Sequence, residues 1–196
     1  YAVDAGFDGV EIHGANGYLI DQFLRDTPNQ RTDAYGGSLE NRARLLFEVL
    51  TAVTQAIGSE RVGLRLSPLN SFNSMKDSDP LALIGFLADR LNAFKLAYLH
   101  VMRADFFGVQ KADVMPVARE KYKGVLVGNM GYSADEAEAA IAEGKLDAVA
   151  FGTAFLANPD LPARIRAKAP LNAPDSNTFY AGGAKGYTDY PTLQVA

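Results

Sequence analysis

Apolar positions along the chain follow two alternating patterns, short continuous runs and runs at helical spacing. The short runs are typical of buried parallel strands and occupy 7–13, 61–67, 96–102, 124–128 and 147–151. Between and after them, apolar residues recur with helical periodicity over 18–24, 38–57, 80–92, 114–121, 133–144 and 158–168. From Pro170 onward the pattern is irregular. The chain therefore reads as alternating strands and helices.

Five βα units in series predict a parallel sheet with right-handed crossovers. A doubly wound open sheet and a (β/α)₈ barrel both satisfy this order. Polar or glycine residues close every predicted strand: His13, Arg65, Ser67, Arg103, Gly128, Asn129, Gly152 and Thr153. A barrel gathers all strand ends around one mouth, whereas an open sheet concentrates its ligand contacts at one switch point. We therefore expect an α/β fold of the (β/α)₈ TIM-barrel class.

Composition narrows the class of protein further. The 196 residues, 48% hydrophobic and 21% charged, suit one soluble globular domain with a sizeable core. The net charge of −4 predicts no nucleic-acid partner, and no apolar run is long enough to predict a membrane partner. Cysteine is absent, which is consistent with a reducing compartment, and we expect a cytoplasmic location. With two histidines in strand-like contexts, we expect no metal site.

The most informative segment is the first strand and the turn that follows it. His13, Asn16 and Tyr18 come together where a parallel strand ends, which is the ligand-binding end of α/β sheets. Two neutral donors can hold a carbonyl oxygen that is becoming an enolate, and a phenol two residues on can protonate the neighbouring carbon. Taken singly, each residue also suits a structural role, His13 in the core and the other two in a turn.

Two glycine turns follow the last two strands, at Gly128–Asn129 and at Gly152–Thr153. In barrels the loops after the final strands often bind phosphate with backbone N–H groups, although glycine can also simply turn the chain. Arg65 lies in an otherwise apolar strand. It suits either a buried structural ion pair or a contact to an anionic cofactor.

Several separate motifs resemble the Old Yellow Enzyme family of flavin-dependent ene-reductases. The most specific stretch runs from Gly6 to Arg44 and contains GVEIH at 9–13 and RTDAYGGSLENR at 31–42. Further matches are RLSP at 65–68, FG at 151–152, NPDL at 158–161, TFY at 178–180 and GYTDYP at 186–191. The resemblance covers nearly the whole chain.

This resemblance implies an enzyme that uses FMN and NAD(P)H to reduce activated C=C bonds of α,β-unsaturated carbonyl or nitro compounds. It assigns His13 and Asn16 to the substrate oxygen and Tyr18 to proton donation. It assigns Arg65 to the flavin pyrimidine edge. It assigns binding of the FMN phosphate to Gly128, Asn129, Gly152 and Thr153. It assigns the lining of the substrate pocket to Phe72 and Tyr180. The family usually has Arg where this chain has Thr153, so a charge-assisted phosphate contact is lost.

The resemblance also implies that strands are missing. Five strands match the fourth to eighth of the family's barrel, and nothing corresponds to the first three. The chain begins at Tyr1, inside what reads as the end of a helix capped by Gly6. We therefore expect residues 1–196 to be the C-terminal portion of a single FMN-binding barrel domain, completed by an N-terminal fragment on a complementary chain.

Two other functions fit parts of the pattern. A phosphosugar isomerase or aldolase would use the same phosphate loops, but it would want a lysine or carboxylate at a strand end, and no lysine closes a strand. A non-catalytic scaffold or regulatory fragment would bind the rest of a barrel without turnover. Bound flavin distinguishes the ene-reductase interpretation from both of these alternatives.

Overall fold

The computed structural model describes residues 1–193. By its internal contacts the chain divides into two compact units, 1–149 and 150–196. Each unit is described separately below.

Strands and helices alternate through the chain. The strands are β1 (Val10–Gly14), β2 (Val62–Leu66), β3 (Tyr98–Met102), β4 (Leu126–Asn129) and β5 (Ala148–Ala150). The helices of the first unit are α1 (Leu19–Leu24), α2 (Leu39–Ile57), α3 (Pro80–Leu91), α4 (Val114–Lys121) and α5 (Ala134–Ala142). Those of the second are α6 (Thr153–Ala157) and α7 (Leu161–Ala167).

The five strands form one sheet in the order β1-β2-β3-β4-β5, and the pairs β1–β2, β2–β3 and β3–β4 are parallel. A doubly wound sheet reverses its strand order at a switch point. The order here never reverses, so it excludes that alternative. Consecutive strands of a (β/α)₈ barrel follow one another in this way.

The hydrophobic core lies on one face of the sheet. The side chains that pack with α2, α3 and α4 on this face are those of Ile12, Leu64, Leu66, Leu99 and Val101, and most of them are fully buried.

Capping side chains determine where two of these helices begin. Ser38 accepts the N–H of Asn41 at the beginning of α2, and Asp79 accepts the N–H of Ala82 at the beginning of α3.

The opposite face of the sheet is polar, because strand residues alternate between faces. The register places His13 beside Arg65 and Arg65 beside His100. His100 Nδ1 lies 2.9 Å from Glu11 Oε2. Burial alone would raise the pKa of Glu11, but the hydrogen bonds from His100 and Tyr98 outweigh it and leave that pKa below its usual range. Polar side chains therefore occupy this face within the strands as well as at the strand ends.

Three local expectations need correction. The last predicted helix, 158–168, begins only at Leu161, and the short helix α6 precedes it. Residues 2–6 form turns rather than a helix end, although Gly6 does take a positive φ of 93°. The capping box at Ser133 is half formed, since Ser133 accepts the N–H of Glu136 but the Glu136 carboxylate pairs with Arg103.

In the second unit, Arg164 holds the irregular tail. Its guanidinium donates to the carbonyl oxygens of Pro170 and Pro191 and pairs with Asp160. Throughout residues 1–193, every helix is too short or too polar to cross a lipid bilayer.

Candidate active site

The turn after β1 carries the three residues with candidate chemistry. His13 lies at the end of β1, and Tyr18 precedes the first residue of α1. Between them Asn16 and Gly17 take left-handed φ values of 58° and 72°. Asn tolerates this conformation better than most residues do, and Gly tolerates it without cost. Gly17 is also required for space, since a Cβ there would lie 2.6 Å from Asn73 Cβ.

Hydrogen bonds from three directions fix this turn. The N–H of Asn16 donates to Ser67 Oγ at 2.7 Å, and Asn73 Nδ2 donates to the carbonyl oxygen of Asn16 at 3.1 Å. The N–H of Gly17 donates to the buried Asp21 carboxylate at 2.8 Å. The backbone of the turn is therefore anchored to α1 and to the segment after β2.

The turn brings His13 and Tyr18 into contact. Their ring centroids lie 5.4 Å apart at an interplanar angle of 58°. Tyr18 is 54% exposed, so its phenol is open to a ligand. Asn16 belongs to the same turn, and its side-chain Oδ1 accepts a hydrogen bond from Asn70 Nδ2 at 2.8 Å. An imidazole, an amide and a phenol thus share one short loop.

The electrostatic surroundings of His13 favour the neutral imidazole. Desolvation by the surrounding atoms lowers the pKa of His13, and the positive charge of Arg65 on the neighbouring strand lowers it further. A neutral imidazole carries one N–H donor that can bind a substrate oxygen.

Arg65 lies next to His13 in the sheet and is half-buried. Its Nη2 donates to Asn129 Oδ1 at 3.0 Å, while its buried Nε has no acceptor within residues 1–193. In the same part of the chain, no carboxylate forms an ion pair with Arg65. The structural ion pair that the sequence also allowed is absent there, so the positive charge of Arg65 has no carboxylate partner in this part of the chain.

The turn after β4 presents backbone donors on one side. Met130 and Gly131 have φ values of 86° and 70°. Arg103 binds the carbonyl oxygens of both residues, each at 2.8 Å, and its guanidinium lies 3.7 Å from the centroid of the Tyr132 ring. Because N–H and C=O of one peptide point in opposite directions, the N–H groups of Gly131 and Tyr132 face away from Arg103. In residues 1–193 neither of these N–H groups has a hydrogen-bond acceptor.

Gly128 and Asn129 end β4 and lead into this turn. The structure gives Gly128 a packing role, because a Cβ there would lie 2.6 Å from Leu146 Cδ1. Phe72 lies in the short 3-10 turn after β2 and is 42% exposed. Its carbonyl oxygen would be only 2.8 Å from a Cβ on Gly17, so Phe72 borders the turn that carries Asn16 and Tyr18.

The second unit contains the remaining predicted site residues. Gly152 immediately precedes α6, whose first residue is Thr153, and a Cβ at Gly152 would meet no atom within 4 Å. Packing therefore does not explain glycine at this position. Tyr180 is 97% exposed in the tail.

Sequence reasoning missed the residues that support the turn, chiefly Asn70, Asp21 and Arg25, and it named Ser67 only as a polar strand end. Arg25 is fully buried, and its Nη1 donates to the carbonyl oxygen of Ser67 at 3.0 Å. Arg103 was counted only as a polar strand end. The only signal in the sequence was that polar residues follow the strands. It does not reveal which residues they contact, because their partners lie far away in sequence.

Comparisons with known proteins agree on one family. The model of the NADH:flavin oxidoreductase / NADH oxidase family matches residues 1–172. A probable flavin mononucleotide-dependent alkene reductase from Leishmania infantum is 61% identical over 98% of this chain and 52% of its own length.

Solved structures give the same result. The old yellow enzyme from Trypanosoma cruzi has a TM-score of 0.96 at 47% identity, over 98% of this chain and 52% of its own. Morphinone reductase in complex with tetrahydroNAD has a TM-score of 0.91 at 46% identity, with the same coverage. These matches confirm the resemblance and the (β/α)₈ fold class. The chain spans about half the length of the relatives it matches.

Proposed function

Because the chain belongs to the NADH:flavin oxidoreductase / NADH oxidase family, we propose that it forms part of an FMN-dependent ene-reductase. The enzyme uses NAD(P)H to reduce activated C=C bonds of α,β-unsaturated carbonyl or nitro compounds. One observation carries the proposal: His13, Asn16 and Tyr18 share one anchored turn beside the cation Arg65, which no carboxylate pairs within the described chain. The family assignment does not favour the isomerase or aldolase alternative.

The chain's own residues bind and polarise the substrate. The neutral His13 and the Asn16 amide donate to the carbonyl or nitro oxygen and stabilise the charge that develops there. Each such donor contributes roughly 3 kcal/mol in comparable oxyanion sites. Tyr18 gives its phenolic proton to the α-carbon. Phe72, which borders this turn, supplies an apolar wall of the substrate pocket. Tyr180 of the second unit stays a predicted pocket residue on the family resemblance.

The residues fit FMN as cofactor. Arg65 lies beside His13 at the end of the sheet without a carboxylate partner in residues 1–193, and its positive charge suits the anionic edge of the isoalloxazine ring. In the first unit, Gly128 and Asn129 with the N–H groups that follow them suit the FMN phosphate. Gly152 and Thr153 of the second unit stay predicted phosphate-binding residues on the family resemblance. When bound and reduced, the flavin supplies the hydride for the reaction. NAD(P)H is the reductant that restores it.

Residues 1–196 form the C-terminal portion of a single FMN-binding domain. Its partner is the complementary N-terminal barrel fragment, and its other ligand is a small enone or nitro compound. The support is that β1 and β5 lie at the two ends of the strand order and that the relatives are about twice as long. A cytoplasmic location stays a prediction.

Anaerobic turnover of the completed barrel, this chain together with its remaining strands, tests the function. We expect a yellow protein that consumes one NAD(P)H for each 2-cyclohexenone reduced to cyclohexanone. A completed, folded barrel that binds FMN but forms no saturated ketone would contradict the proposal.

A further inference from the structure

We propose that Asn70 is a positioning residue that turns the Asn16 carboxamide so that its Nδ2 faces the substrate oxygen. The inference rests on the proposed function, because it concerns the same oxygen-binding site. Asn70 would make Asn16 a hydrogen-bond donor without touching the substrate itself.

The orientation of Asn70 follows from a backbone donor. Asn70 is 1% exposed, and its Oδ1 accepts the N–H of Phe72 at 3.4 Å. A backbone N–H can only donate, so the atom that faces it must be the amide oxygen. The other end of the Asn70 amide, Nδ2, then faces Asn16 and donates to Asn16 Oδ1 at 2.8 Å.

The hydrogen bond from Asn70 determines which end of the Asn16 amide faces the ligand. The Asn16 backbone is fixed at both its N–H and its carbonyl oxygen, so rotation of the amide is the main freedom left. One amide orientation presents an NH₂ group to the ligand and the other presents a carbonyl oxygen. With Oδ1 held by Asn70, the NH₂ group is presented, and within the described chain it has no acceptor.

Contacts that do not involve the Asn70 side chain also hold the loop that carries it. The fully buried Arg25 donates from Nη1 to the carbonyl oxygens of Ser67 and Asn70, at 3.0 and 3.4 Å. Ser71 is held separately, since both its N–H and its hydroxyl donate to Asp105. Substitution of the Asn70 side chain should therefore leave the loop in place.

A double-mutant cycle in the completed, FMN-loaded barrel tests the inference. The variants are Asn70→Ala and Asn70→Asp, each with native Asn16 and with Asn16→Ala. The readouts are the calorimetric Kd for 4-hydroxybenzaldehyde and the separate kcat and KM for 2-cyclohexenone. With native Asn16, we expect Asn70→Ala to weaken phenol binding roughly three- to tenfold, the value of one net hydrogen bond.

Asn70→Asp should weaken binding more, because a carboxylate accepts and draws Asn16 Nδ2 away from the ligand. In the Asn16→Ala background, Asn70→Ala should change the Kd by less than about twofold, since a partner effect vanishes when the partner is absent. In the Asn16→Ala background, the remaining effect of Asn70→Asp on the phenol Kd measures the effect of the introduced negative charge. If Asn70→Ala yields no folded protein, the isosteric Asn70→Asp carries the same comparison.

Equal weakening with and without Asn16, or no weakening with native Asn16, would overturn the inference. Asn92→Ala is the control, because it removes an asparagine amide that donates to structural acceptors outside the candidate site, the backbone carbonyls of Ala88, Asp89 and Lys121. It should lower the melting temperature and leave the phenol Kd unchanged. Failure of the proposed function looks different, since the unsubstituted protein would then bind no phenol and reduce no enone.

Discussion

The proposed role of Tyr18 concerns reduction of the enone and not reduction of the flavin by NAD(P)H. Its phenol is exposed and its ring contacts His13, but it is not part of the cofactor contacts proposed here. Tyr18→Phe keeps the ring and removes the proton. We expect enone reduction to fall about 100-fold or more, as for loss of a general acid, while reduction of the enzyme by NAD(P)H is largely retained. Stopped-flow measurement of both half-reactions checks this, and an equal loss in both would count against Tyr18 as the proton donor.

His13 should remain neutral at pH 7. Desolvation and Arg65 both lower the pKa of His13, so its NMR titration midpoint should lie below the usual value of about 6.5. Because the fold disfavours the charged imidazole, this residue's contribution to stability is complete above the unfolded-state pKa and is lost as the pH falls from there through the lower folded-state pKa. Arg65→Gln should move the midpoint upward. A midpoint above that of a free histidine would contradict this account.

Much of the residue-scale chemistry could be predicted because it is local in sequence. His13, Asn16 and Tyr18 lie within one turn, so the strand-end rule and their spacing suffice to group them. Asn70 and Arg103 could not be found in this way. Their partners lie 54 and 27 residues away, and only the packed loops bring those atoms together.

At the scale of elements, Arg103 ties the turn after β4 to the start of α5. It binds two carbonyl oxygens of the turn and the carboxylate of Glu136. Arg103→Met should free those carbonyls and scatter the N–H groups proposed for the FMN phosphate. We expect FMN to dissociate more readily on dialysis, with the Kd raised roughly tenfold, as for loss of a fixed ionic hydrogen-bond network.

Arg119→Met provides a closely matched control. Arg119 also binds two backbone carbonyls and one carboxylate, those of Tyr122, Gly124 and Asp147, and its side chain is 26% exposed, as is that of Arg103. It should cost similar stability without loosening FMN. If both variants lose FMN equally, the turn after β4 has no special role in holding it.

The strands and long helices could be predicted because apolar periodicity and caps determine them. Ser38, Gly58 and the Asp79–Pro80 pair give α2 and α3 nearly the bounds expected. The helix α6 could not, since five residues of TAFLA carry too short a pattern to distinguish from a loop. The Glu136 half of the capping box failed because Arg103, a distant residue, binds that carboxylate.

In the whole molecule, the order of the strands leaves β1 and β5 at the two ends of the sheet. In the part of the chain that the structure describes, β1 pairs only with β2, and β5 follows β4 at the other end. The outer edge of a terminal strand is a place where another strand can pair, and barrels normally remove such edges by closure. The polar face with His13, Arg65 and His100 is likewise only part of a barrel interior.

We therefore expect the isolated chain to be aggregated or molten. Open edges favour pairing with other chains, and a partial core leaves apolar surface in water. Size-exclusion chromatography and a thermal melt of the 196-residue chain should show no compact, cooperatively melting monomer. The control is the same chain mixed with the complementary strands, which should elute as one compact species.

We propose that this chain holds one part of a flavin site that other strands complete. Titration of FMN fluorescence with the chain alone, and with the chain plus the complementary strands, tests this proposal. The account predicts no saturable quenching by the chain alone, and quenching at one FMN per completed barrel with both parts present. Stoichiometric FMN binding by a compact, folded chain alone would contradict it.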